Sequence, residues 1–307
     1  TKSVPIAVNV IGGSLGAGKT TLLNHILRSA DERIVVIVND FGDINIDADL
    51  IERQDGNTIS LTNGCICCSI TDGFAVALEE VRQLMPRPER LVIEASGVAD
   101  PRLVAAHGHS VDFRMESIIV VVDAATVEQK SRDRYVGDTV TRQLAAADII
   151  VLNKTDRVSA VEVAGVTEWL RQRAAGVALL PASQAKVPLA ALFDGQDLRK
   201  EVEEVTSSHT ANDVFESWSW HGKSPVAQKD IERLMADLPD TIVRAKGILQ
   251  VGDPAESMIV QRVGRRWTME LSTSNVAKDS RFVAIGLAGA LSAGWLGERL
   301  DGGEPSA

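Results

Sequence analysis

Residues Gly13-Ser-Leu-Gly-Ala-Gly18-Lys19-Thr20 follow the apolar, β-branched run Ile6–Ile11 and lead directly into the helical run Thr21–Leu27. A strand, a glycine-rich turn and a helix opening on Lys-Thr have few solutions. The turn must curl its backbone amides around an anion at the helix N-terminus. Ligands held this way sit at the carboxyl ends of parallel strands, so the pattern constrains the chain to an α/β sheet. Gly13, Ser14, Leu15, Gly16, Ala17, Gly18, Lys19, Thr20 and Thr21 are therefore the candidate phosphate-binding residues. In this pattern Lys19 reaches the β/γ oxygens and the Thr20 hydroxyl ligates Mg²⁺. Alone, the loop indicates a nucleotide and not which one.

The rest of the chain agrees with such a sheet. Short apolar runs recur at Ile34–Asn39, Leu91–Glu94, Ser117–Asp123, Ile149–Asn153 and Val177–Leu180, with helical patterns between them. Runs apolar along their whole length suit strands covered on both faces, which predicts a doubly wound, mostly parallel sheet over residues 1–195. Aromatics are only 4% of the chain, so Val, Ile, Leu and Ala must fill the core. Residues 196–213 turn polar and charged and are expected to be a linker. Strand-like segments at Val214–Trp220, Val243–Val251, Met258–Val263, Arg266–Leu271 and Arg281–Ile285, with two helices, predict a small α+β domain over 214–307. Ile231, Leu234, Met235 and Leu238 recur at helical spacing, so one face of the first of those helices packs on a sheet. Trp218, Trp220 and Trp267 are expected in core or rim packing, and His25 in a structural role.

A net charge of -10 disfavours nucleic-acid and anionic-membrane partners. The most apolar later stretch, Phe282–Leu296, is broken by glycines and shorter than the roughly 20 residues a membrane crossing needs. All three cysteines lie within four positions, leaving no distant disulfide partner, so a cytoplasmic protein without a membrane segment is expected.

Three further motifs carry chemistry. Asn153-Lys154-Thr155-Asp156 follows the buried run Ala147–Leu152. The Asp156 carboxylate can accept hydrogen bonds from N1–H and the exocyclic amine of guanine, a pairing adenine does not offer. Lys154 can lay its stem over the base, Asn153 can brace the loop, and Ser183 and Ala185 can meet the other edge. Glu94-Ala-Ser-Gly97 ends another strand: Glu94 can hold the Mg²⁺ shell or orient water, and the Gly97 amide can meet the γ-phosphate.

Asn63-Gly-Cys65-Ile-Cys67-Cys68 is the most distinctive element. Cys65 and Cys67 share one side of an extended chain and can converge on one ion, whereas Cys68 needs a turn to join them. Soft thiolates select Zn²⁺, Cu⁺ or Co²⁺, and three of them leave a tetrahedral ion one ligand short, which suits transfer; thiols cycling through a disulfide are the other reading. Asp40, in Asn39-Asp40-Phe41-Gly42-Asp43, can touch the Mg²⁺ shell, supply a fourth metal ligand, or simply face solvent in a turn. Lys19, Glu94 and Asp40 are the candidate catalytic residues, and His107 with His109 is a second, weaker metal pair.

The order phosphate loop, Asn-Asp-Phe-Gly, Cys-x-Cys-Cys, Glu-x-Ser-Gly and Asn-Lys-Thr-Asp resembles the CobW-type metallochaperone GTPases, and Arg244-Ala-Lys-Gly247 looks like that family's C-terminal domain. The resemblance implies GTP/GDP and Mg²⁺ at the loop, guanine at Asn153–Asp156, and a transferred Zn²⁺ or Co²⁺ at Cys65, Cys67 and Cys68. It also implies slow GTP hydrolysis coupled to metal delivery to a client metalloprotein or metal-insertion enzyme, by a monomer or a nucleotide- or metal-dependent dimer. A regulator that senses metal or redox state, with GTP as ligand rather than fuel, is the alternative. The family usually has Glu where Asp40 stands, and many members carry a His-rich tract that this chain lacks.

Overall fold

A computed structural model describes residues 4–39, 58–61, 70–107, 112–193, 214–252, 256–272, 279–292 and 294–301. Asp40, Cys65, Cys67, Cys68, His109 and the linker lie outside them. The chain divides into two compact units.

In the first unit the elements run β1 (Ile6–Gly12), α1 (Lys19–Ser29), β2 (Ile34–Asn39), β3 (Thr58–Leu61), α2 (Ile70–Gln83), β4 (Arg90–Glu94), α3 (Pro101–His107) and β5 (Phe113–Asp123). They continue with α4 (Val127–Ser131), α5 (Gly137–Ala146), β6 (Ile149–Asn153), a 3₁₀ turn at Thr155–Arg157, α6 (Ala160–Arg173), β7 (Ala178–Pro181) and α7 (Leu189–Leu192). The strands form one seven-stranded sheet in the order β3-β2-β4-β1-β5-β6-β7. β1 pairs in parallel with both β4 and β5, β4 with β2, and β5 with β6.

Every residue of β1, β4 and β6 is buried, as whole-length apolar runs require of strands covered on both faces. Strand order reverses on either side of β1, so the crevice of the switch point opens at its carboxyl end, where the phosphate loop begins.

Four strands of this sheet have limits other than expected, and β3 was not expected at all: β1 runs one residue further, to Gly12, and β4 starts one residue earlier, at Arg90. β5 starts at Phe113 rather than Ser117, because Glu116, which interrupts the apolar run, is buried against Arg90 instead of solvated. β7 is displaced by one residue, to Ala178–Pro181. β3, four residues beside β2, carries too short a pattern to be read from sequence.

The second unit is a five-stranded sheet in the order β11-β10-β9-β12-β8, comprising β8 (Phe215–Gly222), β9 (Ile242–Val251), β10 (Glu256–Val263), β11 (Arg266–Leu271) and β12 (Ser280–Leu287). Its pairings are antiparallel. Helices α8 (Gln228–Asp237) and α9 (Trp295–Leu300) bring Ile231, Leu234, Met235, Leu296 and Leu300 onto Leu249, Val260, Phe282 and Trp220, so the helical stripe read from sequence is the packed face. Trp218 packs at the margin of this core and Trp267 is exposed. Among the described residues no helix is long and apolar enough to cross a membrane.

Candidate functional site

Helix α1 starts at Lys19 with no side chain capping its N-terminus and no acidic residue in its first turn. Uncapped amides at the positive end of a helix are a ready anion site. Gly18, the residue before it, has φ 109, and a Cβ there would fall 2.3 Å from Asn153 Nδ2. Only glycine permits both the left-handed backbone and that close approach. Lys19 is 7% exposed, at the base of the loop.

Glu94, 2% exposed, ends β4 beside the loop, and the Thr20 hydroxyl donates to its Oε1 at 3.4 Å. These hard oxygens at an anion-binding helix end fit a small divalent cation that keeps most of its shell from phosphate and water. Gly97 follows closely: a Cβ on it would lie 2.9 Å from the Leu15 amide nitrogen, so the two loops touch through backbone. Asp100 is committed elsewhere. Its carboxyl group accepts from the Arg102 side chain, which holds its pKa below the usual value against the opposing effect of burial.

On the other side of the loop Asn153, 2% exposed, is a two-way brace. Its Nδ2 donates to Ala17 O at 3.0 Å and its Oδ1 accepts from the Ala185 amide at 2.7 Å. Lys154 adopts φ 62 and sends Nζ to Gly16 O at 2.6 Å and to Asp123 Oδ2 at 2.7 Å. Asp156 is exposed on the following turn. The Thr155 hydroxyl and amide both donate to Ala182 O, which holds that turn against Ser183 and Ala185. The phosphate loop, Glu94, Gly97, the Asn153–Asp156 turn and the Ser183–Ala185 turn therefore converge, as the sequence spacing anticipates.

Asp123 and Gln143 are among the members of this neighbourhood that sequence reasoning missed. Asp123, buried at the end of β5, holds Lys154, and an acidic residue closing an apolar strand run was the available signal. Gln143 on α5 donates to Gly97 O and Ala99 O, both at 3.2 Å, and no motif marks it. His25 has the structural role expected of it, donating Nε2–H to Val187 O at 2.7 Å. His107 closes α3, and among the described residues no three His, Cys, Asp or Glu gather as a metal site.

A parallel sheet with this loop at its switch point and a guanine-type turn beside it defines a phosphate-loop nucleotide-binding protein. Residues 7–180 match the CobW/HypB/UreG nucleotide-binding domain, and residues 215–302 match the cobalamin synthesis protein cobW C-terminal domain. The chain belongs to the CobW/HypB/UreG family. Similar proteins include a zinc chaperone CobW from Sinorhizobium sp, 28% identical over 92% of this chain and 93% of that one. A zinc chaperone YjiA from Escherichia coli is 30% identical over 87% of this chain and 88% of its own. The solved Zn(II)-bound YjiA GTPase from E. coli aligns with a TM-score of 0.46 at 25% identity, covering 93% of this chain and 95% of that one.

Proposed function

We propose that this protein is a GTP-hydrolysing metallochaperone that couples its nucleotide state to capture and delivery of Zn²⁺ or Co²⁺ to a client metalloprotein. The brace made by Asn153 carries the nucleotide half of this reading, because one side chain joins the phosphate loop to the turn that faces the base. The α1 amides and Lys19 would receive the β- and γ-phosphates. Thr20 and Glu94 would hold Mg²⁺, which when bound neutralises charge between those phosphates. The Gly97 backbone, set against the loop and bonded by Gln143, would follow the γ-phosphate. The metal half rests on the chemistry of Cys65, Cys67 and Cys68, with Asp40 a further oxygen ligand or a γ-phosphate sensor, and on the zinc-chaperone names of similar proteins.

Asp156 sets the base. Removing its carboxylate in Asp156→Ala strands two guanine donors, so GTP binding should weaken by roughly 2–3 kcal/mol. Any ATP binding should change little. Titration of both nucleotides against both proteins tests this, and equal affinity of the unsubstituted protein for ATP and GTP would refute the assignment.

Coupling is the second expectation. If the thiolates respond to the nucleotide, Zn²⁺ affinity measured against a calibrated chelator should differ between the GDP and the non-hydrolysable GTP states by roughly 1–3 kcal/mol, with the GTP state tighter. The Cys65→Ala, Cys67→Ala double variant should lose both the affinity and the difference. Equal Zn²⁺ dissociation constants in apo, GDP and analogue states would remove the transfer mechanism and leave a protein that merely binds both ligands.

A further inference from the structure

Three consecutive peptide carbonyls of the phosphate loop are held by side-chain nitrogen donors. Leu15 O accepts from Lys130 Nζ at 2.9 Å, Gly16 O from Lys154 Nζ at 2.6 Å, and Ala17 O from Asn153 Nδ2 at 3.0 Å. Across a trans peptide the C=O and the following N–H point in opposite directions. A donor that fixes the Leu15 carbonyl therefore also fixes the direction of the Gly16 N–H, on the opposite side of the chain. The Asn153 contact does the same for the Gly18 N–H.

Asn153 and Lys154 belong to the guanine-reading turn, but Lys130 belongs to no motif in the sequence. It comes from α4, the single turn of helix after β5, and its Nζ also lies 3.3 Å from Ser14 Oγ. That turn is itself anchored, with Thr126 N donating to Asp123 O and Lys130 N to Thr126 O. The carboxyl end of β5 thus supports two of the three donors: Asp123 steadies Lys154, and the helix that follows it carries Lys130.

We propose that Lys130 is a positioning residue for nucleotide binding, which holds the Leu15–Gly16 peptide so that the loop amides are aligned before the β-phosphate arrives. The inference rests on the reading of this loop as a GTP/GDP site. The ammonium group stays on the carbonyl side of the loop in this role and does not touch the phosphate. Its contribution is to spare the incoming anion the work of ordering that peptide unit.

The test compares GDP with GMP, which lacks the β-phosphate, in equilibrium titrations of the full chain with Mg²⁺ present. Lys130→Met, which keeps length and loses the donor, should raise the GDP dissociation constant about tenfold, the effect of a half-buried charge-assisted hydrogen bond. Lys130→Arg should recover most of the loss, and GMP affinity should stay within about twofold, since base and α-phosphate contacts do not depend on the Leu15–Gly16 peptide. Unchanged GDP affinity in Lys130→Met would overturn the proposal. So would an equal loss for GDP and GMP, which would mark a general structural role, or a loss that depends on protein concentration, which would mark a lysine acting on the nucleotide of a second copy. Failure of the unsubstituted protein to bind GDP would overturn the nucleotide reading itself and this inference with it, and it would be seen before any substitution is made.

Discussion

Lys19→Ala is expected to lower GTP turnover by about a thousandfold, the scale seen when one preorganised charge-stabilising donor is removed from an acyl- or phosphoryl-transfer site. Lys19 opens α1, and its side chain is buried at the base of the loop rather than free in solvent. A charge held there would act on oxygens whose negative charge shifts as the γ-phosphoryl group departs. The loop amides would supply partial charges of fixed direction, and Thr20 with Glu94, whose side chains meet at 3.4 Å, would serve the cation side of the phosphates. Neither group substitutes for a full positive charge on the γ-oxygens. Lys19→Arg should rescue little, since the planar guanidinium is wider than an ammonium and the Lys19 side chain, 7% exposed, sits in a confined place. Phosphate release at saturating GTP measures the effect, and a variant within tenfold of the parent would assign the transferring charge to another residue.

How much of this was legible in sequence depends on how far each residue's role is local. The phosphate loop, Glu94 and the Asn153–Asp156 turn each close an apolar strand run, and a doubly wound sheet delivers all such ends to one edge. Their convergence could therefore be read from strand order alone. Lys154 shows the limit of that logic. Its type and position were readable, but its hydrogen bonds to Gly16 O and Asp123 depend on how β1, β5 and β6 lie side by side. Gln143 and Lys130 were illegible for the same reason, since an ordinary polar residue on a helix acquires meaning only from the loop it happens to face. β5 was read four residues short because Glu116 looks like a solvent position, and nothing within its own strand reveals the arginine on β4 that neutralises it.

That arginine leads to the other large effect. Arg90 begins β4, four residues before Glu94, and strand rise places it about 13 Å away toward the opposite edge of the sheet. Its side chain is 1% exposed and is paired with Glu32 Oε1 at 2.5 Å and with the buried Glu116. Asn9 Oδ1 accepts from the same guanidinium, Asn9 in turn donates to Ser117 Oγ at 2.7 Å, and the Phe193 ring lies 4.1 Å beneath. Burial works against the charge, but the attraction of Glu116 and Glu32 outweighs it and raises the guanidinium pKa above its ordinary value. Charge is therefore retained in a dry place, and the penalty appears when one partner goes. Arg90→Met should destabilise the first unit by about 3–5 kcal/mol, because Glu116 is left buried without its cation. Arg90→Met combined with Glu116→Gln should recover a substantial part, since a neutral amide costs less to bury than an unpaired carboxylate. Urea denaturation of the single and double variants measures both. A loss under about 1 kcal/mol in the single variant would mean that water reaches Glu116 and that the pair resembles a surface ion pair. GDP affinity of the folded Arg90→Met protein should match the parent, because the network holds the amino ends of strands whose carboxyl ends bind the nucleotide. A parallel fall in stability and affinity would instead show that β4 transmits strain along its length to Glu94.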